Sequence, residues 1–305
     1  MSTTALLCEP RRATLLSKAS DYLELTKPRI GVLVLVTVAV GAFIGRCCMP
    51  DGWLLFHTLV GTAFVAASAS AFNQWWERQS DRLMARTALR PLPDGRLSAL
   101  EVVCFGMATI VLGALYLTYW VNGLTALLGL LTWFIYAWVY TPLKTRTPAN
   151  TFVGAISGAL PVLMGWAAVG ASFNLQIVGL KAAALFLIVF FWQFPHFMAI
   201  AWIYRQQYAA AGMQMLPVVD PSGRRAGAQA LTTALMLLPV SLVPAYLHVA
   251  GLAYALGAVA LGLIYIVSSY SFLIRPDEIS SRRLLRVSLV YLPSLLLLMM
   301  LTAIG

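Results

Sequence analysis

Charge is scarce in this chain. Only 10% of its 305 residues are Asp, Glu, Lys or Arg, against roughly a quarter in soluble domains. That is too little to clothe a water-soluble globule. Acids are scarcer than bases, 11 against 21, and none sits at the middle of an apolar run. A membrane transporter is expected to place charges near the midplane and to show inverted repeats; neither is found. The four cysteines, Cys8, Cys47, Cys48 and Cys104, make no CxxC or Cys/His pattern, which argues against a disulfide framework or a zinc centre. The first 29 residues hold no apolar signal core and carry Glu9, Asp21 and Glu24, unlike a secretion signal or an organelle transit peptide.

Apolar sequence fills the space that charge leaves. Hydrophobic residues make up 60% of the chain. They fall into nine runs near the roughly 20 residues that a spanning helix needs. The runs are Ile30–Cys48, Trp53–Trp75, Val102–Trp120, Leu124–Tyr140, Phe152–Val169, Ile177–Trp202, Leu231–His248, Leu252–Phe272 and Leu285–Ile304. The expected fold is all-α, a polytopic membrane protein of nine transmembrane helices. Residues 26–305 form one membrane domain, and residues 1–25 a polar, unstructured N-terminal tail.

The bases are not spread evenly. Nineteen of the 21 lie before the first run or in the even-to-odd loops, leaving only Arg46 and Lys181 elsewhere. The positive-inside rule places that face, and the N-terminus, in the cytoplasm. No soluble module carries the positive charge, so a nucleic-acid partner is not expected. His57 and His248 lie toward the opposite face, as interface residues.

On the basic face stands Asn73-Gln-Trp-Trp-Glu77-Arg-Gln-Ser-Asp81, at the end of the second run. Spacing of i, i+4, i+8 puts three oxygen ligands on one helix face. Carboxylate and amide oxygens suit a hard divalent cation such as magnesium. Arg86 and Arg90-Pro91 follow, and acids that hold metal beside arginines suggest a diphosphate held at the membrane surface. A second cluster, Tyr140-Thr-Pro-Leu-Lys144-Thr-Arg146-Thr-Pro-Ala-Asn150, offers two further cations, with a helix start beyond Pro148. Gly154, Gly158, Pro161 and Gly165 then read as a close-packing stripe. A third cluster, Phe191-Trp192-Gln193-Phe194-Pro195-His196-Phe197, puts polar groups inside a span, where they default to function. Pro195 is expected to break that helix. His196 is suited to ligate a metal, to bind a porphyrin iron or to hydrogen-bond a neighbouring helix.

These runs resemble those of a known family. Asn73-x3-Glu77-x3-Asp81-x2-Met84-x-Arg86-Thr87-x2-Arg90-Pro91-Leu92, Tyr140-Thr-Pro-Leu-Lys144, Trp192-Gln-Phe-Pro-His-Phe197 and Ala211-Gly-Met-x-Met215-Leu-Pro-Val218 look like the protohaem IX farnesyltransferases (haem O synthases). These belong to the UbiA superfamily of intramembrane prenyltransferases. The resemblance runs from Thr26-Lys27-Pro28 to the ninth run. It implies a UbiA-like bundle with its active site on the cytoplasmic side. It implies transfer of a farnesyl group from farnesyl diphosphate to a vinyl group of haem b, giving haem o and diphosphate. It implies Mg²⁺ on Asn73, Glu77 and Asp81, and diphosphate on Arg86, Arg90, Lys144 and Arg146. It implies haem near Trp192, Gln193 and His196. With no targeting segment in the first 29 residues, a bacterial inner membrane is expected rather than the mitochondrial one. Membrane lipid and the haem A synthase or oxidase assembly machinery are the implied partners.

One departure stands out. The superfamily carries a second acidic motif in the sixth-to-seventh loop, and here the corresponding run is Arg205-Gln206-Gln207-Tyr208. Both acids are replaced by amides, which puts a second metal site in doubt. Two other readings remain open on the residues alone: a related prenyltransferase for a quinone or chlorophyll precursor, and a non-enzymatic transporter.

Overall fold

The structure, a computed structural model, describes residues 15–46, 49–171 and 177–303. Cys8, Cys47, Cys48, Glu9, Arg11 and Arg12 lie outside them. The elements in chain order are α1 (Leu15–Leu25), α2 (Pro28–Arg46), α3 (Gly52–Arg82), α4 (Ala99–Trp120) and α5 (Gly123–Phe134). A π-turn (Ile135–Tyr140) joins α5 to α6 (Thr141–Leu143), and α7 (Asn150–Ala168) and α8 (Ile177–Ile203) follow. The remainder is α9 (Arg205–Ala210), α10 (Leu216–Val219), α11 (Arg224–Tyr246), α12 (Leu252–Ile274) and α13 (Glu278–Leu301).

Among the described residues nine helices are long and apolar enough to cross a membrane, α5 counting with its π-turn and α6 as one span. Their apolar stretches match the nine runs, but three helices outrun them. α3 continues to Arg82, α11 starts at Arg224 and α13 at Glu278. Backbone hydrogen bonding does not stop where hydropathy does, so these charged turns stand on the basic face, and that of α3 carries Glu77 and Asp81. Helix starts are capped by side chains: Asp51 at α3, Ser98 with Glu101 at α4, Asn122 at α5, and Asp277 with Ser280 at α13.

The outward faces keep apolar side chains such as Leu33, Leu115, Leu131, Leu263 and Leu297 exposed, as a lipid solvent allows. Two buried clusters form the interior. One joins Val38, Val65, Ile110, Leu117, Ala126 and Met164 from α2, α3, α4, α5 and α7. The larger includes Val40, Trp166, Ile188, Leu237, Tyr265 and Leu295 from α2, α7, α8, α11, α12 and α13. α2 and α7 serve both clusters because their backbones nearly touch. A Cβ on Gly165 would lie 1.8 Å from Val38 O, and one on Gly41 2.0 Å from Val162 O. The small-residue stripe is therefore a packing device, as expected.

Residues 15–25, polar enough to be read as part of a tail, form α1. Arg96 ties it down with ion pairs to Asp21 and Glu24, and Lys18 Nζ meets Glu101 Oε1 at 2.9 Å. Gln74 Nε2 caps its end by donating to Leu25 O at 2.9 Å. α8 runs unbroken through Pro195, against the expectation of a break. Tyr265 Oη donates to Trp192 O at 2.9 Å, one turn earlier, so a neighbouring helix supplies a donor where proline disturbs the ladder.

Candidate active site

The end of α3 builds the centre. Each step of four residues advances about 400° around a helix, so successive ligands drift by about 40°. Asn73, Glu77 and Asp81 are all buried, and the drift turns them toward three different neighbours. Each meets a cation. Lys27 Nζ donates to Asn73 Oδ1 at 2.5 Å. Lys144 Nζ donates to Glu77 Oε1 at 2.6 Å, and Arg90 Nη1 to Asp81 Oδ2 at 2.7 Å.

The sequence folds locally to bring those cations in. After α3 the chain doubles back: Thr87 Oγ1 donates to Asp81 O at 3.0 Å, and Arg82 Nε to Pro93 O at 3.1 Å. Met84, Leu92 and Leu97 bury beneath the turn, which returns Arg90 to Asp81. The π-turn sets Thr141. Its Oγ1 donates to Tyr136 O at 2.8 Å and accepts from Asn73 Nδ2 at 3.1 Å. With the amide nitrogen so engaged, Asn73 Oδ1 faces Lys27. Lys144 lies one turn further on, 4.6 Å from the centre of the Tyr140 ring. Burial works against its charge, but the Glu77 carboxylate and the Tyr140 and Tyr136 phenols hold its ammonium well above the usual lysine range.

Lys27, read from the sequence only as a topology charge, belongs to this centre. Burial, and then the Arg90 guanidinium, pull its ammonium down to about 7, opposed by Glu77. A hint of its role is the adjoining Pro28, which opens α2 and fixes where the lysine stands. Thr141 was equally hidden.

The remaining expected residues divide. Arg86 is exposed and stacks over the Tyr204 ring at 5.1 Å. Arg146 is exposed on the rim of a cavity shared with Trp76, Glu77, Thr141 and Lys144. Gln206 is exposed, while Gln207 Oε1 accepts from the Arg86 backbone N–H at 3.5 Å. Tyr208 is buried against Met84, Met213 and Met215. The sixth-to-seventh loop therefore covers the first motif, and burial pushes the Tyr208 phenol up, so it remains an O–H donor. A second cavity lies between Tyr140, Lys144, Phe197, Ile200 and Tyr208.

Trp192 and His196 come together on α8, stacked at 5.0 Å. Both reach Ser288 of α13: His196 Nδ1 lies 2.8 Å from Ser288 Oγ, and Trp192 Nε1 donates to Ser288 O at 2.8 Å. Gln193 is not with them. Its Nε2 donates to Ala155 O of α7 at 3.0 Å and, within α8 itself, to Val189 O at 3.1 Å. Its amide bolts α8 to α7. Phe197, one residue after His196, lines the second cavity beside Lys144.

The donor set fits a hard cation. Asn73, Glu77 and Asp81 offer oxygen, and Asp81 Oδ1 is buried with no hydrogen-bond partner among the described residues. A buried carboxylate oxygen left so is costly unless something positive meets it. Among the described residues no three His, Cys, Asp or Glu side chains converge, so Asn73 would complete the set. The amides at 206 and 207 supply no second acidic pair.

Comparison with known proteins gives the family. The model of the UbiA prenyltransferase family matches residues 34–292. The chain belongs to the UbiA prenyltransferase family. Within it, the chain is 42% identical to a protohaem IX farnesyltransferase of Solibacter usitatus, over 93% of this chain and 99% of that one. It is 41% identical to the enzyme of that name from Koribacter versatilis, over 98% of each. A mitochondrial relative from Arabidopsis thaliana is 37% identical over 90% of this chain and 63% of its own length. Among solved structures, a digeranylgeranylglyceryl phosphate synthase superposes with a TM-score of 0.78 at 18% identity, covering 93% of this chain and 98% of that one. A UbiA homologue from Archaeoglobus fulgidus, solved with GPP and Mg²⁺, gives a TM-score of 0.65 at 19% identity, covering 90% and 99%. These neighbours establish the UbiA fold for the chain.

Proposed function

We infer that this UbiA-family chain is a haem farnesyltransferase. It joins the farnesyl group of farnesyl diphosphate to a vinyl group of haem b, adds water, and releases haem o and diphosphate. The observation that carries the reading is the buried Glu77–Asp81 pair, matched by Lys144 and Arg90 at the membrane-surface end of α3. Full-length relatives of that name support the choice of substrate.

In the reaction the farnesyl C1–O bond breaks, and its electron pair leaves with the diphosphate. The vinyl π electrons form the new C–C bond at C1. Water then adds to the porphyrin-side carbocation and gives up a proton. Lys144 and Arg90 neutralise the diphosphate as its charge grows, with Arg86 and Arg146 closing over it from the rim. Such charge stabilisation is often the largest catalytic contribution. Asn73, Glu77 and Asp81 would hold Mg²⁺, which when bound supplies a Lewis acid for the leaving oxygens. The aromatic and apolar side chains of the second cavity keep water from the allylic cation, with the Tyr140 ring face turned to cations. Trp192 and His196 orient the haem.

The basic face lies in the cytoplasm by the positive-inside rule, in a bacterial inner membrane. From there the product passes to the assembly of haem-copper oxidases. Purified protein incubated with haem b, farnesyl diphosphate and Mg²⁺ is expected to give a farnesylated haem by chromatography, lost with EDTA and regained with Mg²⁺. Prenylation of an aromatic acid acceptor without any haem product would keep prenyl transfer and remove haem as the acceptor.

A further inference from the structure

The three oxygen-bearing side chains of the centre are matched by three cations from three separate segments. Two of those matches pair a carboxylate with a base, as an ion-binding centre needs for neutrality. The third does not. Lys27 places its ammonium 2.5 Å from a neutral amide oxygen, Asn73 Oδ1. That oxygen is fixed where it is: Asn73 Nδ2 is held by Thr141, whose own hydrogen goes to Tyr136 O.

The backbone of Lys27 is held as firmly. It adopts φ +52°, the left-handed region that a residue with a side chain enters only under constraint. Its N–H donates to Glu24 O, and its carbonyl accepts from Ile30 and Gly31 as α2 begins. α1 and α2 thus fix the root of the lysine, and only the four-carbon stem between root and ammonium can give way when another cation approaches Asn73. A magnesium ion sits about 2.0–2.1 Å from its oxygens. An ion on Asn73 Oδ1 would stand against the ammonium with no anion between them.

We infer that Lys27 makes metal binding conditional on diphosphate binding. A bare divalent cation must evict the lysine from Asn73 and then sit beside its amino group, where Glu77 and Asp81 are already matched by Lys144 and Arg90. A diphosphate removes both penalties. It brings more negative charge than the metal brings positive, and it offers the displaced ammonium its oxygens. The metal therefore enters as part of the diphosphate complex, and Lys27 is the residue that enforces this. The inference rests on the prenyl-diphosphate reading above and adds the order in which the site fills.

The test is binding, read without turnover. Mn²⁺, which takes the same octahedral oxygen sites, is titrated by EPR into the purified full chain in detergent, with and without unreactive farnesyl thiodiphosphate. In the wild type the analogue is expected to tighten Mn²⁺ about tenfold, within the usual range for coupled sites, and Mn²⁺ to tighten the analogue by the same factor. Lys27→Met, neutral and of similar length, is expected to bind Mn²⁺ alone more tightly and to lose most of the coupling. Lys27→Arg is expected to keep it. Equal coupling in the wild type and in a folded Lys27→Met overturns the inference, as does a wild type whose Mn²⁺ affinity ignores the analogue. Where Lys27→Met does not fold, Lys27→Gln carries the same comparison, and equal coupling there overturns the inference. An analogue that fails to bind at any Mn²⁺ concentration removes the prenyl-diphosphate reading itself.

Discussion

Lys144 Nζ stands 2.6 Å from Glu77 Oε1, across 67 residues of chain, with both side chains nearly buried. A pair so enclosed recovers its desolvation cost only while both partners are present. The same contact joins the acidic motif on α3 to the loop after the π-turn, so one interaction serves both the fold and the proposed diphosphate site.

Removing one partner should therefore be worse than removing both. Lys144→Met alone leaves Glu77 buried without its hydrogen-bonded partner, a loss of about 3–5 kcal/mol for a buried pair. Thermal unfolding in detergent should show a large drop for Lys144→Met and partial recovery in Lys144→Met/Glu77→Gln. Turnover should recover in neither, because the double variant restores neutrality without a cation for the leaving group. A double variant no more stable than Lys144→Met would remove the pair from the stability argument.

Asp81 separates the two roles differently. Its Oδ2 accepts from Arg90, and its buried Oδ1 has no partner among the described residues. Asp81→Asn keeps the shape and an acceptor for Arg90 but loses the charge that would meet a metal. Turnover should fall by about 10²–10³, the range for removing one preorganised charge-stabilising contact, with little change in the unfolding temperature. The residual rate should no longer respond to added Mg²⁺. A variant with normal Mg²⁺-dependent turnover would exclude Asp81 as a ligand.

The site was legible in sequence where a short-range rule sufficed. Asn73, Glu77 and Asp81 share a face because four residues make slightly more than one helical turn, and no tertiary contact is needed to see it. Lys27 was not legible, because its role depends on a left-handed backbone and on a partner 46 residues away. Gln193 shows what a sequence leaves out: a polar group inside a span defaults to function, and only the structure adds that its amide nitrogen donates to two backbone carbonyls. α1 was hidden by its polarity, since its ion pairs to Arg96 and Glu101 are long-range. The nine apolar runs were plain, but the charged turns extending α3, α11 and α13 carry no hydropathy signal.

Gln193 supports a packing prediction. A Cβ on Gly158 would lie 2.1 Å from Gln193 Oε1, so Gly158→Ala must push α7 from α8 or eject the amide. Overpacking of this kind costs about 1–3 kcal/mol. Gly158→Ala should unfold at lower temperature, and Gly158→Ala/Gln193→Ala should recover part of the loss. Failure of the second change to help would place the strain in the helix backbones instead.

Ser288 gives the sharpest test of the haem side. Its hydroxyl donates to Leu285 O at 2.7 Å, leaving a lone pair to accept from His196 Nδ1 at 2.8 Å. That assignment puts the histidine proton on Nδ1 and leaves Nε2 as the ligating or accepting nitrogen. Ser288→Ala frees the ring to turn and to exchange tautomers, while Trp192 keeps its bond to the backbone carbonyl at 288. The expected result is a KM for haem raised about 10-fold or more, the range seen when the partner orienting a ligating histidine is lost. The KM for farnesyl diphosphate should not move, and Ser288→Thr should restore the wild-type value. A Soret band that shifts on haem binding in the wild type, weakens in Ser288→Ala and vanishes in His196→Ala would assign Nε2 to the iron. Equal rises in both KM values would instead mark Ser288 as a packing residue between α8 and α13.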